Sequence, residues 1–229
     1  MLRMIDINVR NVLRNLNLVV HRNEFVLIVG DNGAGKTTLF NTISGRLRPG
    51  SGNILLDGQD VTDMPQHRRM AMISNVFQDP KVGVVVDMTL RENLHMAHLR
   101  GKRRGLTVSN SSRRDDLYRE KLKTLNMDLE NRLDDRAGDL SGGQRQALSI
   151  IMSTLADSKL LLLDEITAAL DQRASENILR IINDLVASEK KTCLMITHNS
   201  KHIRRLGTRA LWLQNGRLVA KSDPGKSDS

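Results

Sequence analysis

The chain has 229 residues, with 35 Lys and Arg against 26 Asp and Glu and a formal charge of +9, a length that suits one large α/β domain or two small ones with ample core. Its aromatic residues are Phe25, Phe40, Phe77, Tyr118 and Trp212, too few for a surface that stacks on single-stranded bases. The single Cys193 excludes an intrachain disulfide framework and a cysteine-built metal cluster, and fits a reducing compartment.

Leu2–Val9 and Leu16–Val20 carry strand patterns, and Phe25–Gly30 reads as a fully buried strand. Between Arg3 and Asp6 the start is broken by charge, unlike a secretory leader. From Gly35 to Arg46 the pattern is helical, with Leu39, Phe40 and Ile43 on one face. A turn cluster at Arg48–Gly52 leads into a short strand, Asn53–Leu56, and Met70–Phe77 is the next strand. Thr89 to about Arg136 is predicted helical at both ends around a polar interruption, Thr107–Ser112. A helix from Ser141 to Ala156 precedes a buried strand, Leu160–Leu163, that runs out at Asp164. Asp171–Ala187 is an amphipathic helix through Ala174, Ile178, Ile181, Ile182 and Leu185. Thr192–Thr197 is a further strand, Ala210–Leu213 and Leu218–Ala220 form a hairpin over Asn215-Gly216, and the tail, residues 221–229, is polar and frayed. The alternation predicts an α/β fold with a mostly parallel sheet, a single domain over residues 1–220 into which a helical stretch near 89–157 is inserted. No apolar run approaches the ~20 residues that cross a bilayer.

The basic surplus is compatible with nucleic acid, anionic lipid or a nucleotide; the motifs decide. Gly30-Asp31-Asn32-Gly33-Ala34-Gly35-Lys36-Thr37 follows a buried strand and opens a helix, the context that makes G-x-x-x-x-G-K-[ST] a phosphate loop. Its glycines let the backbone wrap close to phosphate oxygens, and its N–H groups form an anion nest at a positive helix end. Lys36 is placed for the β- and γ-phosphates and the Thr37 hydroxyl for Mg²⁺. This sequence binds a nucleoside triphosphate.

Such a site needs a carboxylate at the end of a neighbouring buried strand, and Leu160–Leu163 followed by Asp164 and Glu165 supplies it. Asp164 is placed for Mg²⁺ and Glu165 to orient or deprotonate an attacking water. Leu140-Ser141-Gly142-Gly143-Gln144 is a capping box before an apolar helix. Two glycines in a first turn cost about 1 kcal/mol each relative to Ala, yet they open backbone N–H groups to a second phosphate contact. One nucleotide does not easily reach two helix tips of one chain, so a second copy would present this one.

Gly30–Thr38, Gln78 within Val76–Pro80, Leu140–Gln144, Leu160–Glu165, Ala168–Asp171 and His198 within Ile196–Asn199 stand in the order of an ABC-type ATPase, and from Leu2 to about Ala220 the chain resembles that family. The resemblance implies a P-loop core with an N-terminal antiparallel β subdomain and an inserted helical subdomain. It implies ATP and Mg²⁺ as ligands, held by Lys36, Thr37 and Thr38, with Gln78 linking metal and water to a membrane partner. Ser141 and Gly143 would meet the γ-phosphate bound by the opposite subunit, Glu165 would be the catalytic carboxylate, His198 would grip the γ-phosphate, and Asp171 would lie at the dimer interface.

Three departures from the family pattern stand out. The usual aromatic under the adenine is missing, leaving Val9, Val12 or the Arg10 stem as platform and implying weaker adenine selectivity; Ile166 stands where Pro is common and Ala168 where Ser is common. No Glu-rich stretch precedes Leu140, which tilts toward import. Val76–Pro80, Gly101–Leu106, Leu140–Leu148 and Ile196–Asn199 resemble ATP-binding subunits of bacterial uptake systems that work with a permease and an extracytoplasmic binding protein, some of them for amino acids. The implied partners are a second ATPase subunit, a permease and that binding protein, with no nucleic acid, at the cytoplasmic face of the membrane. An exporter subunit and a soluble non-transport ABC ATPase are the alternatives; a kinase with the same loop leaves Leu140–Gln144 and His198 unexplained.

Of the remaining features, Arg100, Lys102, Arg103, Arg104, Arg113 and Arg114 form a basic run read as a solvated face, or as one near anionic lipid. His95/His98 and His198/His202 have helical metal-ligand spacings without an evident third ligand. Cys193 and Met70, Met72, Met88 and Met96 read as core filling.

Overall fold

The structure, a computed structural model, describes residues 1–101, 112–156, 158–199, 206 and 209–219. It divides into two units, residues 1–70 with 190–229, and residues 71–189.

In the first unit, β1 (Leu2–Val9) pairs antiparallel with β2 (Leu13–Val20). The second strand starts earlier than Leu16 because register shifts let both Leu13 and Leu16 face inward, opposite Val9 and Ile7; such irregularities break the period of two on which strand prediction rests. β3 (Phe25–Val29) is buried along its whole length and feeds α1 (Lys36–Ser44), whose Leu39, Phe40 and Ile43 lie in the core. β4 (Ser51–Leu56) completes an antiparallel sheet with β1 and β5 (Gln59–Asp60).

α2 (Gln66–Arg69), a single turn, lies outside the sequence expectation. Its Arg69 is 1% exposed and donates to the carbonyls of Thr42 and Ile43 at 2.9 and 3.2 Å, of Met64 at 3.2 Å and of Thr62 at 2.6 Å. Thr42 and Ile43 belong to the last turn of α1, where carbonyls lack helical partners and a cation meets the negative end of the dipole. One guanidinium thus anchors the far end of the phosphate-loop helix. We expect Arg69→Met to strand these buried acceptors and cost about 3 kcal/mol or more, read as a lower urea midpoint at unchanged m.

The second unit opens on β6 (Ile73–Val76), shorter than the expected Met70–Phe77 because the preceding residues serve α2. α3 (Leu90–His98) starts on a complete capping box between Thr89 and Glu92. α4 (Ser112–Lys123) ends well short of Arg136. Asn126 and Asp128 take φ of 53° and 59°, a left-handed backbone that Asn and Asp tolerate and helices do not; beyond them only short 3₁₀ turns at Leu129–Asn131 and Ala137–Asp139 occur. Arg91 of α3 bonds Asp115 of α4 at 3.1 and 3.2 Å and also pairs with Asp134, the two carboxylates raising its guanidinium above the usual value. α5 (Gly142–Leu155), β7 (Leu160–Asp164) and α6 (Gln172–Glu189) complete the unit, with β7 parallel to β6.

The chain then returns to the first unit, where β8 (Thr192–Thr197) and β9 (Arg209–Gln214) run parallel to β3 on its two sides and β10 (Arg217–Val219) pairs antiparallel with β9. Cys193 is fully buried in β8, which pushes its thiol well above the ordinary value. The antiparallel N-terminal sheet and the parallel core strands match the expected fold class.

Three surface expectations change. Met96 is not core filling but 52% exposed, and Met70, Met72 and Met88 are only half-buried. Arg100 leaves the basic face: it donates to the Oγ of fully buried Ser74, and burial lowers its guanidinium below the usual value. His95 is buried, with Nδ1 3.4 Å from the Tyr118 hydroxyl, and burial and Arg114 lower its pKa from the usual value. Lys102, Arg103, Arg104, His202, Thr107–Ser111, Ala220 and the 221–229 tail lie outside the described residues. Among those described, no helix is long and apolar enough to cross a membrane, and no group of three or more His, Cys, Asp or Glu is placed to hold a metal ion.

Candidate functional site

In the first unit, β3 and β8 are parallel and in register to their ends, Val29 opposite Thr197. The residues that follow, Gly30 and His198, therefore leave the sheet side by side at its carboxyl edge, where open α/β sheets bind ligands. Residues 30–35 form a loop closed by a hydrogen bond from Ala34 N–H to the Asp31 carbonyl at 3.2 Å. Gly33 and Gly35 have φ of 83° and 102°, which L side chains resist. Gly35 is the N-cap of α1, with no side-chain cap and no acidic residue in the first turn. The positive helix end is left for an external anion.

Lys36 is only 6% exposed, and its ammonium bonds the carbonyls of Gly30 at 2.8 Å and Asp31 at 3.0 Å. It is thereby held within the loop whose N–H groups form the nest. Asn32 and Thr37 are exposed, Ala34 and Thr38 half-buried. His198 is exposed, and the turn after it is fixed by Asn199 N–H donating to Thr197 Oγ at 3.0 Å.

Of the three candidate base platforms, Val9 is 1% exposed and Val12 is 37% exposed. A Cβ on Gly35 would lie 3.1 Å from Val12 Cγ1, so Val12 presents its isopropyl group beside the nest. Arg10 is exposed with φ 47°. The apolar surface next to the phosphate loop is aliphatic.

The second unit repeats the logic. β6 and β7 are parallel, with Val76 opposite Leu163, so Phe77 and Gln78 leave beside Asp164 and Glu165 at one carboxyl edge. Four fully buried leucines deliver the two carboxylates, both half-buried, to that edge. Glu165 has φ 45°, a left-handed backbone for a non-glycine residue of the kind that clusters at functional sites. Its carbonyl accepts from Ala168 N–H at 2.9 Å, which turns the chain sharply after the strand. Gln78 is exposed.

Ser141 caps α5 as expected: its Oγ accepts from Gln144 N–H at 3.2 Å while the Gln144 side chain accepts from Ser141 N–H at 3.1 Å. The N–H groups of Gly142 and Gly143 remain at the tip, and the Ser141 hydroxyl keeps its own proton to donate. No acidic residue occupies this first turn either. A Cβ on Gly143 would sit 3.3 Å from Ala174 Cβ, a tight contact, so the glycine lets α5 and α6 approach closely here. Asp171 caps α6 through its Oδ1, which accepts from Ala174 N–H at 2.8 Å. The tip of α5 also meets the segment before α6, where a Cβ on Gly142 would lie 3.9 Å from Leu170 Cδ2.

Thr37, Gln78 and Asp164 each offer an oxygen, the hard donor that Mg²⁺ prefers, so their chemistry fits that ion.

Sequence reasoning passed over Gln146 and Asn93. Gln146 is 1% exposed on a face of α5 it shares with buried Ser149, Ile150 and Ser153, a mixed face that gives the apolar pattern no signal to single it out. Asn93 is equally buried and holds both backbone groups of Val85, accepting from its N–H at 2.8 Å and donating to its carbonyl at 2.9 Å.

These two edges and two glycine-bearing helix tips agree with what comparison with known proteins finds. Residues 13–168 match the family model described as ABC transporter. A tyrosine transport ATP-binding protein of Clostridioides difficile (strain R20291) is 42% identical over 208 residues, covering 91% of this chain and 82% of that protein. The thiamine import ATP-binding protein ThiQ of Salmonella choleraesuis (strain SC-B67) is 33% identical over 232 residues, covering 100% and 92%. Among solved structures, the dimeric post-hydrolysis state of the ATP-binding cassette MJ0796 bound to ADP and Pi superposes with a TM-score of 0.80 at 25% identity, over 99% of this chain and 100% of that one. The chain belongs to the ABC transporter family, as one of its ATP-binding, ATP-hydrolysing subunits.

Proposed function

We propose that the chain works as one of two ATPase subunits beneath a membrane permease and drives uptake of a small solute, an amino acid being the class best supported. The observation that carries this reading is the pair of glycine-bearing helix tips, α1 behind Gly35 and α5 behind Ser141, each free of acidic residues in its first turn. Each suits an anion, and in a dimer the tip of α5 would seal the nucleotide held by the other copy's loop. The names of the relatives, tyrosine transport and thiamine import, support uptake, and the greater likeness of the first favours an amino acid.

In this reading Gly30, Asn32, Gly33, Ala34, Gly35, Lys36, Thr37 and Thr38 hold the triphosphate. Thr37, Gln78 and Asp164 would hold Mg²⁺, which when bound neutralises charge on the β- and γ-phosphates. Glu165 orients and deprotonates the attacking water, and His198 steadies the γ-phosphate from the neighbouring strand end. Ser141, Gly142, Gly143 and Gln144 form the seal, and Asp171 holds the segment that meets the partner copy. Catalysis is then positioning and charge stabilisation more than covalent chemistry. Val12 offers the base only dispersion contact, without the stacking of an aromatic ring, so selection among purine bases is weak.

The permease would sit against the exposed apolar residues of the second unit, Val82, Val85 and Met96, exposed by 61, 40 and 52%. Asn93 fixes Val85 to α3 three residues before Met96. Contact there places the subunit peripherally, at the cytoplasmic face. The test is co-purification: tagged chain drawn from detergent-solubilised membranes should bring down an integral membrane protein in comparable amount. Recovery of ribosomes or nucleic acid, with no membrane protein, would sink the transport reading.

A further inference from the structure

α5, whose tip carries Ser141, Gly142 and Gly143, is fastened to the strand that delivers Gln78. Ser74 Oγ, fully buried in β6, donates to the Ser153 carbonyl at 2.7 Å, and Gln146 Nε2 donates to the Phe77 carbonyl at 3.3 Å. From residue 74 to 77 an extended chain advances about 10 Å. Seven helical residues from 153 back to 146 advance about the same. Strand and helix therefore run antiparallel in one register, pinned at both ends of the overlap. Past Gln78 the chain comes back to the same helix, where a Cβ on Gly83 would stand 3.1 Å from Ser149 Oγ. Gln78 heads the arch between these two points.

A buried amide carries a desolvation cost that an apolar side chain of equal length avoids. What the Gln146 amide contributes is its bond to the residue directly before Gln78. We propose that Gln146 is a positioning residue that keeps Gln78 in register with the Ser141–Gly143 tip. This rests on Gln78 acting at the metal and water, as proposed for its role in hydrolysis. Gln146 itself touches neither.

The experiment is a double-mutant cycle on ATP hydrolysis, at chain concentrations above those of dimerisation. Gln146→Met keeps length and loses the donor; we expect kcat to fall about fivefold or more with KM for ATP within about twofold. In a Gln78→Ala background the same change should alter kcat by less than about twofold, because the group it positions is gone. Equal losses in both backgrounds would mean a merely structural role and overturn the proposal, as would an unchanged kcat for Gln146→Met alone. A wild-type rate for Gln78→Ala would instead overturn the reading of Gln78, and this proposal with it. Should Gln146→Met not fold, Gln146→Glu preserves the shape while replacing the donor by an acceptor. The same background-dependent loss is expected of it, and equal losses overturn the proposal.

Discussion

Glu165→Gln should leave ATP bound and slow its hydrolysis by at least about 100-fold, the range of a lost general base. The substitution is nearly isosteric, so the φ of 45° and the turn closed by Ala168 N–H onto the Glu165 carbonyl are preserved; what disappears is a carboxylate able to take a proton from water. The four buried leucines before it and Val76 opposite Leu163 hold that group at a fixed edge. The adjacent acid on that strand, Asp164, is the proposed Mg²⁺ ligand and should not substitute for it. With ATP bound and uncleaved, the two copies stay closed. Size-exclusion chromatography of the variant with ATP should therefore show a persistent dimer, and a steady-state assay almost no phosphate release. Full turnover would exclude Glu165 as the base.

The second large effect separates two ways of losing activity. Lys36 is nearly enclosed by its own loop, bonding the carbonyls of Gly30 and Asp31, so truncating it to Ala removes the side-chain cation built into the nest. Hydrogen bonds to a charged group are worth about 1.5–3 kcal/mol, and nucleotide affinity should fall roughly 10- to 100-fold by equilibrium binding. Ser141→Arg should do the opposite. Ser141 is exposed at the helix tip, where it bonds Gln144, so a bulky side chain there obstructs an incoming phosphate while the chain's own loop binds ATP normally. Hydrolysis should be lost with affinity kept.

Much of this was legible in the sequence because the chemistry is punctuated by glycines and by charge placed after apolar runs. Gly30–Thr37 and Leu160–Glu165 announce strand ends, and both strands finish within a residue of the reading. The capping box at Ser141 was legible from spacing and is made in full. What stayed hidden depends on contacts far apart in sequence or on broken periodicity. Arg69 reads as a surface cation until Thr42, Ile43 and Thr62 are seen around it. Leu13 escaped because a register shift interrupts alternation, and the end of α4 because two left-handed residues follow it rather than a Gly or Pro. Val12 was one of three candidates; only the fold, by burying Val9 and setting Val12 against Gly35, distinguishes it.

The most direct trial of the divided pocket is to mix two inactive variants. Lys36→Ala keeps a working Ser141 tip and Ser141→Arg keeps a working phosphate loop. If each pocket is completed by the other copy, mixed dimers contain one intact pocket, and hydrolysis should reappear on mixing at a substantial fraction of the wild-type rate. A mixture no more active than the sum of its two parts, under conditions where mixed dimers are shown to form, would contradict a pocket shared between two copies.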